Sequence, residues 1–228
     1  MAHYDLEEQE QLDSIKTWWK MYGNLVTGVV TALAVAMVGW QGWNFYRNNQ
    51  AAQASALLAA LDDALAVKDA QRIKTAAGEL TEKFSGTPQA ALGALAAAKA
   101  SFDAGDLKTA RLQLTWVAEN GKNEIRDIGR LRLVALLLDE KAYDDALKAL
   151  EASHSAAFDA RFAELKGEVL VAQGKKAEAR AAFLAAIASL DGKSAEADKN
   201  AKDGKPAAAK SPYREVLQQK LDALGESA

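Results

Sequence analysis

Cysteine is absent from this chain of 228 residues, histidine occurs twice, and proline occurs three times. Without cysteine there is no thiol nucleophile, thiolate metal ligand or disulfide, and the redox compartment is left open. The two histidines, His3 and His154, fall on opposite sides of the uncharged run described below, so a two-histidine metal site within one chain is excluded. Ser153 and Ser155 flank His154, but immediate neighbours diverge on a helix, and no Gly-x-Ser-x-Gly nucleophile turn or glycine-rich phosphate loop is present. Carboxylates are plentiful, yet Asp103, Asp139, Asp144 and Asp145 sit beside expected turns, where aspartate caps helices or faces water. The residues give no catalytic constellation, metal site or cofactor cradle, and the chain reads as a non-enzyme.

Positive charge is not in excess either. Removing Lys16 and Lys20 from the 28 bases, and the five acids before the uncharged run from the 31, leaves 26 of each sign in the remainder. A nucleic-acid surface needs cations to displace counterions from phosphates, and this balance excludes that class.

Charge of either sign is missing from Met21 to Tyr46, 26 residues in all. As a helix at about 1.5 Å per residue, Leu25 to Phe45 spans about 30 Å, the hydrocarbon thickness of a bilayer. Trp18, Trp19 and Tyr22 stand at one end, and Trp40, Trp43 and Tyr46 at the other, where amphipathic rings settle at headgroup depth. A cleaved signal peptide fits poorly: the start carries Asp5, Glu7, Glu8, Glu10 and Asp13, and the Ala52-Gln53-Ala54 site lies far beyond the apolar run. The run is therefore expected to cross a membrane once. Lys16 and Lys20 before it, against Arg47 alone close behind, favour a cytoplasmic N-terminus. Gly28, Ala32 and Ala36 recur every four residues and form a candidate stripe for packing against another membrane helix.

Five segments follow: an acidic tail over 1–20, the span over 21–46, a helical domain over 47–192, a flexible loop over 193–210 and a terminal helix over 211–228. In the tail, Leu6, Leu12, Ile15, Trp18 and Trp19 recur at helical intervals, leaving an interfacial helix and a solvated coil both open. From Ala51 to Leu190 the composition is rich in Ala, Leu, Lys, Asp and Glu and poor in β-branched runs, which makes the class all-α. Thr87 and Pro88 start a helix as N-cap and first helical residue, and Ser211-Pro212 starts the last.

Three stretches share one turn pattern, with turn positions at Gly105, Lys141 and Gly174. Ala98, Val134 and Gly167 lie seven residues before these positions; Ala110, Ala146 and Ala179 begin each second helix, with Leu114, Leu150 and Phe183 one turn later. A spacing near 34 residues with small residues where two helices cross resembles the tetratricopeptide repeat. An atypical pair over Ser55–Phe84 is expected to open the stack, and the helix bearing Tyr213, Val216, Leu217, Leu221 and Leu224 to cap it.

The tail with Glu10-Gln11-Leu12 and Ile15-Lys16-Thr17-Trp18-Trp19, the span with Gly39-Trp40-Gln41, and the short repeat domain together resemble the YfgM family. That resemblance implies an ancillary subunit of the SecYEG translocon in the bacterial inner membrane, with periplasmic repeats. It also implies partnership with the chaperone PpiD and contact with emerging protein clients. A scaffold for another envelope complex is the alternative. Helical repeats bind partners on the concave side built by their first helices, and register places Lys99, Asp103, Leu131, Asp139, Arg161, Glu164 and Glu168 there as the candidate surface.

Overall fold

The computed structural model describes residues 4–200 and 212–225, and among these the elements are helices α1 to α9 and one short 3-10 turn, with no strand. His3, Ser211, the side chains of Leu6 and Leu12, and residues 201–210 of the expected loop lie outside the described residues. The chain divides into two units, residues 1–52 and 53–228, and helix α1, Tyr4–Ala66, contributes to both.

In the first unit the helix runs through Trp18, Trp19 and Lys20 without a break, so the part of the tail from Tyr4 onward is helical. Its apolar stretch is uncovered on every side: Leu25, Val29, Leu33, Met37, Trp40 and Phe45 are all exposed. An apolar helix of this length exposed all round is unfavourable in water, and among the described residues it is the one helix able to cross a membrane by length and composition. Trp18 lies 5.8 Å from Tyr22, and Trp43 lies 6.3 Å from Tyr46, so each end of the run carries a cluster of rings.

In the second unit the helices alternate as antiparallel pairs. The end of α1 pairs with α2 (Ala70–Lys83), α3 (Pro88–Asp103) with α4 (Leu107–Asn120), α5 (Asn123–Asp139) with α6 (Tyr143–Leu150), and α7 (Asp159–Ala172) with α8 (Lys176–Asn200). Helix α9 (Pro212–Ala223) closes the series. All four turns within pairs use one hydrogen-bond pattern. Gly105 N–H donates to the Phe102 carbonyl and Asp106 N–H to that of Ser101, and the same two bonds recur around Lys68, Lys141 and Gly174. This double bond satisfies the last carbonyls of the first helix but requires a left-handed residue at the turn. Gly105 and Gly174 adopt it at φ +79° and +77°, and Lys68 and Lys141 at +55° and +60°. The middle repeat therefore keeps the turn despite lacking glycine, and the expected opening pair is a full member of the series.

The slots expected from spacing form the core. Ala98, Val134, Ala110, Ala146 and Ala179 are buried, as are Leu114, Leu150 and Phe183. Gly167 lies so close to Phe183 that an added Cβ would come within 2.6 Å of the ring. In the opening pair the equivalent positions are Leu61, Ile73 and Ala77, all buried. Here the large residues occupy the first two slots and the small one the third, an inversion of the later repeats. Trp116 and Leu147 each pack against two neighbouring apolar clusters, joining the pairs into one continuous core.

Two expectations change. Helix α8 runs to Asn200, so residues 193–200 of the expected loop are helical. On α9, Leu217 and Leu221 are buried and Tyr213 and Leu224 are partly covered, but Val216 is exposed, because the buried stripe follows 213, 217, 221 and 224.

Candidate protein-interaction site

The seven candidate surface residues separate into three places. Lys99 and Asp139 line a groove between α3 and α5, of about 230 Å³, floored by Leu95, Ala98, Leu114 and Leu136. Asp103 joins its rim through a 2.5 Å ion pair with Lys99 one turn away. Phe102, Arg132 and Ala135 complete the lining, and Phe102 is exposed despite its size. Repeat register had passed over Phe102 and Arg132, although Phe102 stands three residues after Lys99 and Arg132 seven before Asp139, the spacings of one helical face. Leu131 instead packs half-buried against the central core. The groove thus offers an apolar floor, one exposed ring and charges of both signs at its rim.

Arg161, Glu164 and Glu168 lie at the other end of the stack and serve a different purpose. Glu164 is 1% exposed, which removes it from any outward-facing surface. Its carboxylate accepts hydrogen bonds from Lys220 Nζ at 2.5 Å, from the Tyr213 hydroxyl at 2.6 Å and from Arg161. Lys220 also bonds Glu168. Burial pushes the Glu164 carboxyl up, but the bonds from Lys220, Tyr213 and Arg161 outweigh it and hold the group below the ordinary carboxylate range. Burial likewise pushes Lys220 down, and its bonds to Glu164 and Glu168 reverse that, leaving it raised. Glu164 is therefore an internal clasp for α9, with Glu168 bonded to Lys220 beside it, while the Arg161 side chain stays half exposed at the edge of the cluster.

A second buried acid went unnoticed in the sequence. Asp127 on α5 is 1% exposed and accepts a 2.9 Å hydrogen bond from Ser155 N–H, tying α5 to the connection between α6 and α7. Arg130 Nη1 donates to the Ser153 carbonyl at 2.6 Å beside it. His154 stacks on Phe162 at 3.9 Å and stands 3.3 Å from Asp159. The Ser-His-Ser stretch is thus a braced connection, with its groups engaged in holding the chain.

On α1, Gly28, Ala32 and Ala36 are exposed, and a Cβ added to Gly28 would meet nothing within 4 Å. The stripe presents a shallow strip of backbone along the apolar helix.

Stacked helix pairs with a grooved first-helix face, on a chain with one membrane-span candidate among the described residues, define a helical-repeat protein. The model of the tetratricopeptide repeat-like domain family matches residues 16–226. A relative from Neisseria gonorrhoeae named "Ancillary SecYEG translocon subunit" is 34% identical over 96% of this chain and 98% of its own length. Relatives of the same name from Haemophilus influenzae and Escherichia coli are each 29% identical, covering 79% and 80% of this chain and 88% of their own lengths. The chain belongs to this tetratricopeptide repeat-like family, the YfgM family that its tail, span and repeats resemble.

Proposed function

We propose that the chain is a non-catalytic, membrane-tethered adaptor that works beside the SecYEG translocon as an ancillary subunit. The observation carrying this reading is the near end-to-end correspondence with a relative bearing that name, together with the family match that runs across span and repeats. The uncharged helix anchors the protein once in the inner membrane. Lys16 and Lys20 keep the N-terminus in the cytoplasm, and the repeats stand on the periplasmic side. Gly28, Ala32 and Ala36 supply the packing strip toward a membrane partner, and the α3–α5 groove receives a periplasmic one. Tethering both to one chain raises the local concentration of the groove near emerging proteins, so weak contacts suffice to pass clients to a chaperone such as PpiD.

Gentle-detergent purification of the tagged full-length protein, followed by mass spectrometry, tests this reading. Recovery of SecYEG and PpiD is expected. Phe102→Ala combined with Arg132→Glu should lose the periplasmic partner, and replacing Gly28, Ala32 and Ala36 by Leu should lose the membrane one. Reproducible recovery of a different envelope complex, with neither SecYEG nor PpiD, would overturn the assignment.

A further inference from the structure

Helix α9 occupies the position that the first helix of another repeat would take. Leu217 and Leu221 share a buried cluster with Leu170 of α7 and with Ala179, Ala182, Phe183, Ala186 and Ile187 of α8. The polar contacts are divided unevenly. The acid Glu164 is fixed in the wall and 1% exposed, whereas the phenol and ammonium that neutralise it arrive on α9 from Tyr213 and Lys220. Arg214 clasps Asp191 of α8 with bonds of 2.7 and 3.1 Å, and Arg180 of α8 donates to the Gly225 carbonyl at 3.2 Å. A wall of this kind reads a helix by pattern. It needs a hydroxyl and a cation seven residues apart toward Glu164, with leucines four and eight residues after the tyrosine toward α8. In the whole chain Tyr213 is the one tyrosine followed seven residues later by a lysine.

We propose that the α7–α8 face beneath α9 is a helix-docking site that α9 fills within its own chain and that the α9 of a second copy fills in exchange, producing a swapped dimer. Charge complementarity commits the occupant. A helix without the Tyr213 and Lys220 groups would leave Glu164 buried with Arg161 alone, a costly arrangement. Eleven residues, 201–211, join α8 to α9 in sequence, a contour of about 36–40 Å when extended, sufficient for α9 to leave its place while α8 stays folded. Docking within one chain has the advantage of high effective concentration, so exchange becomes visible when the internal helix is disabled or copies crowd together.

Two full-length versions in detergent test the site directly. One carries Leu217→Asp and Leu221→Asp, with the helix disabled and the site native; the other carries Glu164→Lys and Glu168→Lys, with the site reversed and the helix native. Each alone should remain monomeric by light scattering, and the mixture should form a one-to-one complex at least tenfold tighter than either self-association. A synthetic peptide of residues 212–225 should dissolve that complex, and the same peptide with Tyr213→Phe and Lys220→Met should be at least tenfold weaker. No mixed complex between copies of native helical content would overturn the proposal, as would self-association equal to mixed association or equal potency of the two peptides. Should the aspartate variant fail to fold, full-length protein with Lys220→Met serves as the loosened copy. Failure of the labelled native peptide to bind it at millimolar concentration would refute the site equally.

Discussion

Gly167→Ala isolates the contact that defines the third repeat. A Cβ at position 167 would lie 2.6 Å from Phe183 Cε1 and 2.8 Å from both Cδ1 and Cζ, well inside van der Waals separation. Phe183 is 2% exposed and sits between α7 and α9, so its ring cannot swing into solvent. Forcing a methyl into such a core costs about 1–3 kcal/mol. Replacing an interior helical glycine by alanine returns about 1 kcal/mol through helix propensity. The two terms oppose each other, and overpacking leaves a net loss of about 0–2 kcal/mol. In a Phe183→Leu background the clash disappears while the propensity gain stays, so Gly167→Ala becomes neutral or stabilising by up to about 1 kcal/mol. The cycle thus yields a coupling of about 1–3 kcal/mol between the two positions. Amide hydrogen exchange on the full-length protein in detergent reads the effect helix by helix. It should accelerate α7, α8 and α9 and spare α3 and α4, because repeats couple chiefly to their neighbours. Equal destabilisation by Gly167→Ala in both backgrounds, or a gain of protection in the native background, would refute the close-packing argument.

The cluster at Glu164 predicts a pH window for α9. The folded pKa of Glu164 is lowered, so its contribution is present above the ordinary carboxylate range and is lost as pH falls through the depressed value; that of Lys220 is raised, so its contribution is present below the ordinary lysine value and is lost as pH rises past the raised one. Protection of the α9 amides, corrected for intrinsic exchange, should fall at both extremes, and a flat profile would count against the clasp. Lys141 holds φ +60°, so Lys141→Gly should relieve left-handed strain and stabilise the middle repeat by about 0.5–1 kcal/mol, read as a shift in its denaturation midpoint. Gly105→Ala at φ +79° should move the turn between α3 and α4 the other way by about 1 kcal/mol. Asp127→Ala strips the acceptor from Ser155 N–H and leaves Arg126 and Arg130 without their buried counter-charge, costing about 2–4 kcal/mol. Proteolysis within residues 151–158 should report it, and unchanged resistance there would show that the bond from Ser155 N–H to Asp127 does not hold the connection.

The anchor and the repeat frame were legible because each depends on a spacing that physics makes visible. An uncharged run of bilayer length bounded by rings has few other uses, and crossing helices need small residues at fixed intervals. The opening pair was harder to read because Leu61, Ile73 and Ala77 fill the same three slots in inverted size order, preserving volume while hiding the pattern. Its turn was hidden too, since Lys68 adopts at φ +55° what glycine does elsewhere. Helix α8 passed into the expected loop because composition alone cannot fix where a polar, alanine-rich helix ends.

The candidate surface divides for a deeper reason. Helical register tells which residues share a face, and it placed Lys99, Asp103, Leu131, Asp139, Arg161, Glu164 and Glu168 together on that basis. Register is silent on what lies over the face. Between α3 and α5 no described helix covers the groove, and Lys99 and Asp139 remain at its rim. Over α7, Tyr213 and Lys220 arrive from 49 and 56 residues away and convert an acid that would otherwise face water into a buried clasp. An acidic residue on a first helix is therefore ambiguous by itself. The distinguishing signal is a later helix carrying a hydroxyl and a cation at the matching spacing, and the terminal helix of this chain carries both. The same complementarity that removes Glu164 from the outward surface makes the α7–α8 face selective for the helix that covers it.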